Sequence, residues 1–428
     1  MVNLHDVTYK AYVDILKREL IPAIGCTEPI AIAYAAAKVR ELLESKPDKV
    51  HIAASGNIIK NVKSVTVPNT DGLKGIEAAA AAGIIAGDAS STLEVISRVS
   101  TEQKKEIREY LKEASITVGI AQSDLVLDIL IEASAGKETA AVRITDNHTH
   151  ISHMEKNGKT LLNEQRLREE AEDATRQSAM LNVDDIIMFA DICDLDDVRK
   201  VIARQIAYNS AISQEGLRKE YGAGVGRTIC ECYNADDVMI RAIAGAAAGS
   251  DARMNGCELP VIINSGSGNQ GITVSVPVIE YAKAYDIPED KLYRALIISN
   301  LVSIHQKKMI GSLSAFCGAV SAGCAAAAGI SYLLGGNRDE IAHTFVNGMA
   351  INSGLICDGA KPSCAGKIAS SVCCGLLALN MSKTKRQFRD GEGIVKKGIE
   401  HTMSSIGRLG KDGMRETDRE ILEIMIEK

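Results

Sequence analysis

The interior of this chain has very few large aromatic side chains to use. Its 428 residues include no Trp and only four Phe, yet apolar residues make up 46 per cent. The core must therefore be built from Ala, Ile, Val, Leu and Gly, with runs such as "GAVSAGCAAAAGISYLLGG" (318–336) at its centre. Small side chains let helices approach closely, which favours a tight, mainly helical packing. A chain of this length can bury a large core and suggests two or three domains. The 318–336 run reaches membrane-span length, but its Ala and Gly make it only weakly apolar, so a buried core helix is expected and no membrane partner.

The net charge of −6 offers no basic field, and Lys and Arg are scattered without interleaved aromatics, so nucleic acid is not an expected partner. The start, "MVNLHDVTYKAYVDILKREL", is charged throughout and lacks the apolar stretch of a signal peptide. Eleven cysteines in such a chain point to a reducing, cytoplasmic setting with free thiols, some of them core fillers and some candidate metal ligands.

Apolar spacing of three and four predicts helices over residues 6–46, broken at "IPAIGCTEP". Thr27, Glu28 and Pro29 read as a helix start with a hydroxyl cap. From 47 to about 175 the period changes. "KVHIAA" and "VKSVTV" read as strands flanking "SGNIIKN", and "STLEVISRVSTEQKKEIREYLKEA" as an amphipathic helix. "LVLDILIEASAGKETAAVRITDNHTHISHM" reads as a strand, a hairpin and a longer strand. "NEQRLREEAEDATRQ" (163–177) is a charged helical connector. Residues 176–428 read as helix interrupted by glycine at 264–271, 334–339 and 357–364. The expected fold class is α+β, mainly α. A large helical domain (176–428) is expected to carry the chemistry, with N-terminal helices (1–46) packing on it and a smaller inserted α/β domain (47–175).

The stretch "ICDGAKPSC" places Cys357 and Cys364 around Gly359 and Pro362, residues that let the loop curl so that both sulfurs face one point. Cys317, beside Gly318, is a candidate third thiol. Iron–sulfur clusters take thiolates from such loops and helix starts, and three protein ligands would leave one iron open as a Lewis acid. All three could equally be small buried hydrophobes. Cys324 stands seven residues after Cys317, which shares a helix face but is also the ordinary core period. "CEC" (230–232), "SVCCG" (371–375), Cys193 and Cys257 read as core. "HTHISH" (148–153) resembles a zinc motif, but a solvated edge strand explains it better. Cys26 precedes or caps the helix near Thr27, where the helix terminus would lower its pKa and make it a base, a nucleophile or a ligand.

The turns "SGN" (55–57) and "SGSGNQG" (265–271) expose backbone N–H groups and hydroxyls suited to a carboxylate or phosphate. Neither has the lysine spacing of a P-loop or the context of a Rossmann turn. Beside candidate cluster thiols, they point to a site for a small amino acid.

Together "GCTEP", "SGN" with "KN" (55–61), "SGSGNQG", "LSAFCG" and "ICDGAKPSCAGK" resemble the L-cysteine desulfidase family, grouped with serine-dehydratase-like proteins, over essentially the whole chain. The resemblance implies a mostly helical catalytic domain with an α/β insertion. It also implies a [4Fe–4S] cluster, no pyridoxal phosphate, and cleavage of L-cysteine to sulfide, ammonia and pyruvate. Position by position it implies Cys317, Cys357 and Cys364 as cluster ligands, with Cys26 close by; Cys324 is outside the pattern. Cys26 as thiolate is then the candidate base at Cα. Ser55, Gly56, Asn57, Ser265, Gly266, Asn269 and Gln270 are expected around the substrate, with Lys60 or Lys361 adding positive charge. Asp358 would shape the charge near the cluster or cap the following helix. L-Serine dehydration at the same cluster is the nearest alternative. A pyridoxal-phosphate lyase lacks a clear Schiff-base lysine here, and a non-catalytic iron–sulfur or sulfur carrier is the remaining rival. A homo-oligomer is expected.

Overall fold

The structure is a computed structural model and describes residues 4–123, 125–163, 168–311 and 314–426. Eight strands form among the described residues: β1 (Pro22–Ile24), β2 (Lys49–Ala54), β3 (Ser115–Ile120), β4 (Asp128–Ala135), β5 (Glu138–Thr145), β6 (Ile151–Lys156), β7 (Lys159–Asn163) and β8 (Pro260–Ile262). The six from β2 to β7 make one sheet in the order β3-β2-β4-β5-β6-β7, in which β2 and β3 are parallel and every other pair is antiparallel. Alternation sets its register. Ile52 lies opposite Ile131, which lies opposite Val142, and all three are buried on one face.

That face is covered by the Thr27–Leu43 helix, which in turn packs on the Ile76–Ala86 helix. The small residues are what make this contact close. A Cβ on Gly83 would lie 2.1 Å from the Ala33 carbonyl oxygen, so the two helix backbones nearly touch. The preceding helix, Asp6–Glu19, packs instead on the Arg168–Ala179 and Glu289–Ile310 helices. Residues 164–167 of the charged connector lie outside the described residues.

Two expectations for this region fail for physical reasons. "SGNIIKN" is a helix (Gly56–Val62), and "VKSVTV" is not a strand, retaining only an isolated bridge from Thr66 to Lys74. Val62 ends that helix, and Val65 and Val67 are buried in the core without strand pairing. The helix expected over 91–114 forms only as Thr101–Glu113, because a capping box between Ser100 and Gln103 starts it there. Upstream, residues Ala89–Glu94 are a short 3₁₀ turn.

From Val183 onward the chain is almost entirely helical, and the fold is α+β, mainly α. The Gly318–Leu333 helix lies in the middle, buried along nearly its whole length. A Cβ on Gly323 would meet the backbone of Ser371 at 2.6 Å, and one on Gly375 the carbonyl of Gly323 at the same distance. This pair lets the Cys364–Lys383 helix lie against the central one. Cys364–Lys383 is also the described helix long and apolar enough to cross a membrane by length and composition; here it packs on the Val238–Met254, Gly318–Leu333 and Arg338–Asn352 helices. β1 pairs with β8 and ties the N-terminal segment to the helical part beside residues 264–271.

Candidate active site

Several helix starts supply the chemistry-bearing residues. Cys26 caps the Thr27–Leu43 helix, Cys317 caps Gly318–Leu333, and Cys364 is the first residue of Cys364–Lys383. Cys317 and Cys357 sit on two short antiparallel segments joined at Phe316 and Ile356. The Cys317 N–H donates to the Leu355 carbonyl (3.0 Å) and the Cys357 N–H to the Ala315 carbonyl (2.6 Å). Cys364 is brought back by a turn in which its N–H donates to the Lys361 carbonyl (3.0 Å). Gly359 makes that turn possible. Its φ is +91°, and a Cβ there would lie 2.3 Å from the Lys60 carbonyl oxygen. Burial, with repulsion from the Cys357 and Cys364 sulfurs, pushes the Cys317 thiol up to about 12. Cys364 is also raised, by burial first and with Cys357 adding to it.

Cys26 lies in a small apolar cluster with Val65 and Met254, against which Ala360 and Cys364 pack. Its S–H donates to Glu28 Oε2 (2.9 Å), and Glu28 is the hub of this end of the site. The Thr27 hydroxyl donates to the same oxygen (3.1 Å), and the Asn61 amide to Oε1 (3.1 Å). His148 Nε2 stands 3.9 Å from Oε1, an ion-pair separation rather than a hydrogen bond. Burial acts to raise the Glu28 carboxyl, but His148 and the Cys26 thiol outweigh it and hold it down to about 2. Cys26 answers in the opposite direction. Burial and the adjacent Glu28 charge raise its thiol well above the ordinary value. The lowering expected from the helix terminus is overridden, so Cys26 stands as a protonated donor.

Buried cations surround the thiols. The Lys60 ammonium pairs with Asp418 of the Arg415–Ile426 helix and reaches the Cys357 carbonyl (3.4 Å). Beside it a cavity of about 300 Å³ is lined by Ser55, Gly56, Asn57, Lys60, Asp418 and Leu422, among others. Lys307 is buried and has no hydrogen-bond or ion-pair partner among the described residues. Its charge is felt by Cys357, Cys317, Lys60 and Glu28, and burial lowers its pKa. Among the described residues, Asn57 Oδ1, Asn269 Oδ1, Gln270 Oε1 and His148 Nε2 are buried without a hydrogen-bond partner. A Cβ on Gly318, next to Cys317, would lie 2.6–2.8 Å from the Gln270 side-chain amide.

This donor set suits a cluster. Three thiols on a loop and two helix starts lie within Coulombic reach of one another, and Lys307, unpaired among the described residues, lies within reach of Cys317 and Cys357. Among the described residues no three His, Cys, Asp or Glu side chains are grouped tightly enough for a single ion. Ligands of a multi-iron cluster bind different metal atoms and stand farther apart than the ligands of one ion.

Comparison with known proteins places this chain. The family profile described as serine dehydratase alpha chain matches residues 90–423. The chain belongs to the serine dehydratase alpha chain family. It is 56 per cent identical over 421 residues to a UPF0597 protein of Desulfitobacterium hafniense, covering 98 per cent of this chain and 97 per cent of that one. It is 50 per cent identical over 418 residues to a UPF0597 protein of Lachnoclostridium phytofermentans, covering 98 and 100 per cent. A third UPF0597 protein, from Finegoldia magna, is 48 per cent identical over 420 residues, covering 98 and 100 per cent.

Within this serine dehydratase family member, other expected residues are committed elsewhere. The Ser55 hydroxyl donates to the Val126 carbonyl (2.9 Å), and Gly56 packs on Leu422. The Lys361 ammonium turns back to Asp358 and to the Asp358 and Gly359 carbonyls (both 3.1 Å). Ser265 is held by Asn264 Oδ1 (3.0 Å), and the Gly266 carbonyl accepts from Thr27 (3.0 Å). Asp358 caps no helix; it pairs with Lys361 and Lys367, and Ser363 is the helix cap. The Thr27–Leu43 helix is capped by Cys26 rather than Thr27. Cys324 packs against Gly348 in the core, whereas Cys232 and Cys373 are exposed, contrary to a core reading of both pairs. "HTHISH" is not one solvated strand either. His148 lies in the turn between β5 and β6, aimed at Glu28. Sequence reasoning passed over Glu28 as a ligand-side group, His148 and Lys307.

Proposed function

We propose that this chain is a pyridoxal-phosphate-independent lyase that eliminates the β-substituent of a small L-amino acid, with L-cysteine as substrate and sulfide, ammonia and pyruvate as products. Cys317, Cys357 and Cys364 would hold a [4Fe–4S] cluster. When bound, such a cluster supplies an iron without a protein ligand, a Lewis acid for the leaving group.

The observation that supports this reading most is the buried Lys307 ammonium, unpaired among the described residues and within Coulombic reach of Cys317 and Cys357, with Cys364 in turn within reach of Cys317. A buried cation without a counter-ion is costly, and an anionic cluster and an anionic substrate would offset it. The Cα proton needs a base. Cys26, held as a thiol, is poorly placed for that task. His148 is better placed. Its Nε2 faces the Glu28 carboxylate, while Cε1 and Nδ1 stand over Gly266, 3.5 and 3.8 Å from where a Cβ would lie. In its neutral form, with Nε2–H on the Glu28 side, the ring would take the proton on Nδ1 above the 265–271 loop, and Glu28 would then stabilise the imidazolium so formed. Asn269 and Gln270 offer free acceptors to the substrate's ammonium group. Aminoacrylate released from the site tautomerises to an imine and hydrolyses in water to pyruvate and ammonium.

Membership of the serine dehydratase alpha chain family favours a second reading, dehydration of L-serine at the same site. Anaerobic reconstitution with iron and sulfide, iron analysis, and assays of pyruvate from both amino acids separate the two. Sulfide release from cysteine at higher kcat/KM than pyruvate release from serine is expected. Iron-loaded protein that turns over neither amino acid would sink the proposal.

A further inference from the structure

We infer that Arg253, together with the first turn of the Gly268–Ala284 helix, forms a subsite for the α-carboxylate of an amino-acid ligand. The inference rests on the lyase reading for the substrate's identity, but its geometry stands apart from the cluster.

Arg253 lies in the last turn of the Val238–Met254 helix and is 2 per cent exposed. A guanidinium carries five donors in a planar fork and stays charged at any ordinary pH. Buried arginines are therefore found against carboxylates or carbonyls. This one makes no hydrogen bond or ion pair among the described residues, and its Nε is buried without a partner.

Its position sharpens the need for a partner. The guanidinium is pressed on Gly268, where a Cβ would lie 2.3 Å from Nε and 2.7 Å from Cζ. Gly268 opens a helix of 17 residues, so the cation rests against the positive end of a helix dipole. Two positive ends in one dry place repel each other unless an anion lies between them. The Ser267 hydroxyl accepts only from the Gln270 N–H (3.4 Å), which leaves the N–H groups of Gly268 and Asn269 as further donors.

Among the described residues no nearby carboxylate serves. Glu28 is engaged by Cys26, Thr27, Asn61 and His148. Asp251, two residues before Arg253, takes the Gly226 N–H (2.9 Å) on another side of its helix. The anion must come from outside.

The surroundings say which kind. Asn269 Oδ1 and Gln270 Oε1, both unpartnered acceptors, sit in the same first turn and suit an ammonium group. The Gln270 amide borders Gly318, the neighbour of Cys317, and Arg253 is within Coulombic reach of Cys26. Carboxylate at Arg253, ammonium at Asn269 and Gln270, and a third substituent directed toward Cys317 describe a small α-amino-acid zwitterion. Lys307, which faces Cys317 and Cys357, belongs to the other end.

The test compares two thiols that the enzyme cannot convert. 3-Mercaptopropionate carries a carboxylate and cysteamine does not. In anaerobically reconstituted protein, Arg253→Gln should weaken inhibition by 3-mercaptopropionate about tenfold to a hundredfold, the worth of a charge-assisted hydrogen bond pair. Cysteamine inhibition should stay unchanged, KM for L-cysteine should rise more than kcat falls, and Arg253→Lys should recover part of the loss. Gly268→Ala keeps the charge but crowds the guanidinium, and it should show the same pattern if Arg253→Gln fails to fold. In metal-free protein, binding of L-alanine followed by NMR saturation transfer should vanish in Arg253→Gln. Equal loss of both thiols, or of neither, overturns the subsite. Arginine-dependent alanine binding in a protein that turns over no amino acid leaves the subsite standing and removes the lyase reading.

Discussion

A carboxylate buried at a helix start survives only if donors satisfy it, and Glu28 collects them from Cys26, Thr27 and Asn61, with the His148 ring at ion-pair distance beside them. Its carboxyl, held down to about 2 from an ordinary 4.5, stabilises the folded state in full above the ordinary value, and the gain is lost as pH falls toward 2. Glu28→Gln should therefore cost about 2–3 kcal/mol near neutral pH, and its gap from the wild type should close between pH 4.5 and 2 in urea denaturation of both proteins. Lys307 behaves in the reverse sense. Removing an uncompensated buried cation by Lys307→Met should stabilise the metal-free protein by about 1–4 kcal/mol while lowering turnover, measured by the denaturation midpoint and a pyruvate assay. Sequence reasoning could find Cys357 and Cys364 because Gly359 and Pro362 advertise a tight loop between them. It could not find His148, whose role depends on the β5–β6 turn lying over a helix start more than a hundred residues earlier. Lys307 left a faint trace. Asn300, Ser303 and Lys307 fall on one buried helical face where apolar residues would ordinarily repeat.

At the scale of elements, helix N-termini are the recurring device. Cys26, Cys317, Cys364 and Ser267 each stand at one, so thiols and free N–H groups are delivered together. Patterning made these helices legible, since glycine- and proline-rich interruptions at 264–271 and 357–364 mark their starts. The stretch 62–67 has the alternation of a strand, but the Gly56–Val62 helix takes its first residue and only a Thr66–Lys74 bridge forms in the rest. The clip that carries Cys357 and Cys364 depends on backbone reach rather than side chains. Gly359→Ala places a Cβ in a left-handed conformation and 2.3 Å from the Lys60 carbonyl. The loop must move, at a cost of more than about 2 kcal/mol. Iron bound per chain after reconstitution should fall well below the wild type while far-ultraviolet circular dichroism stays unchanged. Wild-type iron content in this variant would show that the clip is not a ligand loop.

Taken as one molecule, the protein holds its candidate site between two differently built parts. The sheet side gives Lys60, Asn61 and His148, and the helical side gives Arg253, Lys307 and the three thiols, with the Arg415–Ile426 helix fastened over Lys60 through Asp418. Such a centre is costly on its own, because among the described residues Lys307 and Arg253 have no counter-ion and several amide oxygens no donor. Anything that fills it and binds only the folded state must raise stability by mass action. Anaerobically reconstituted protein should therefore unfold at a higher temperature than the metal-free form, by about 1 °C for each kcal/mol gained. A further rise is expected with 3-mercaptopropionate. Cys364→Ser should lose the first increment, because one of the three thiolates is gone, and exposure to oxygen should return the wild type to the metal-free midpoint. The gain must also spread across both parts, so hydrogen exchange should slow at the β5–β6 turn as well as at 357–364. Protection confined to the helical side would mean that the thiols bind metal without His148 and the sheet taking part in the site.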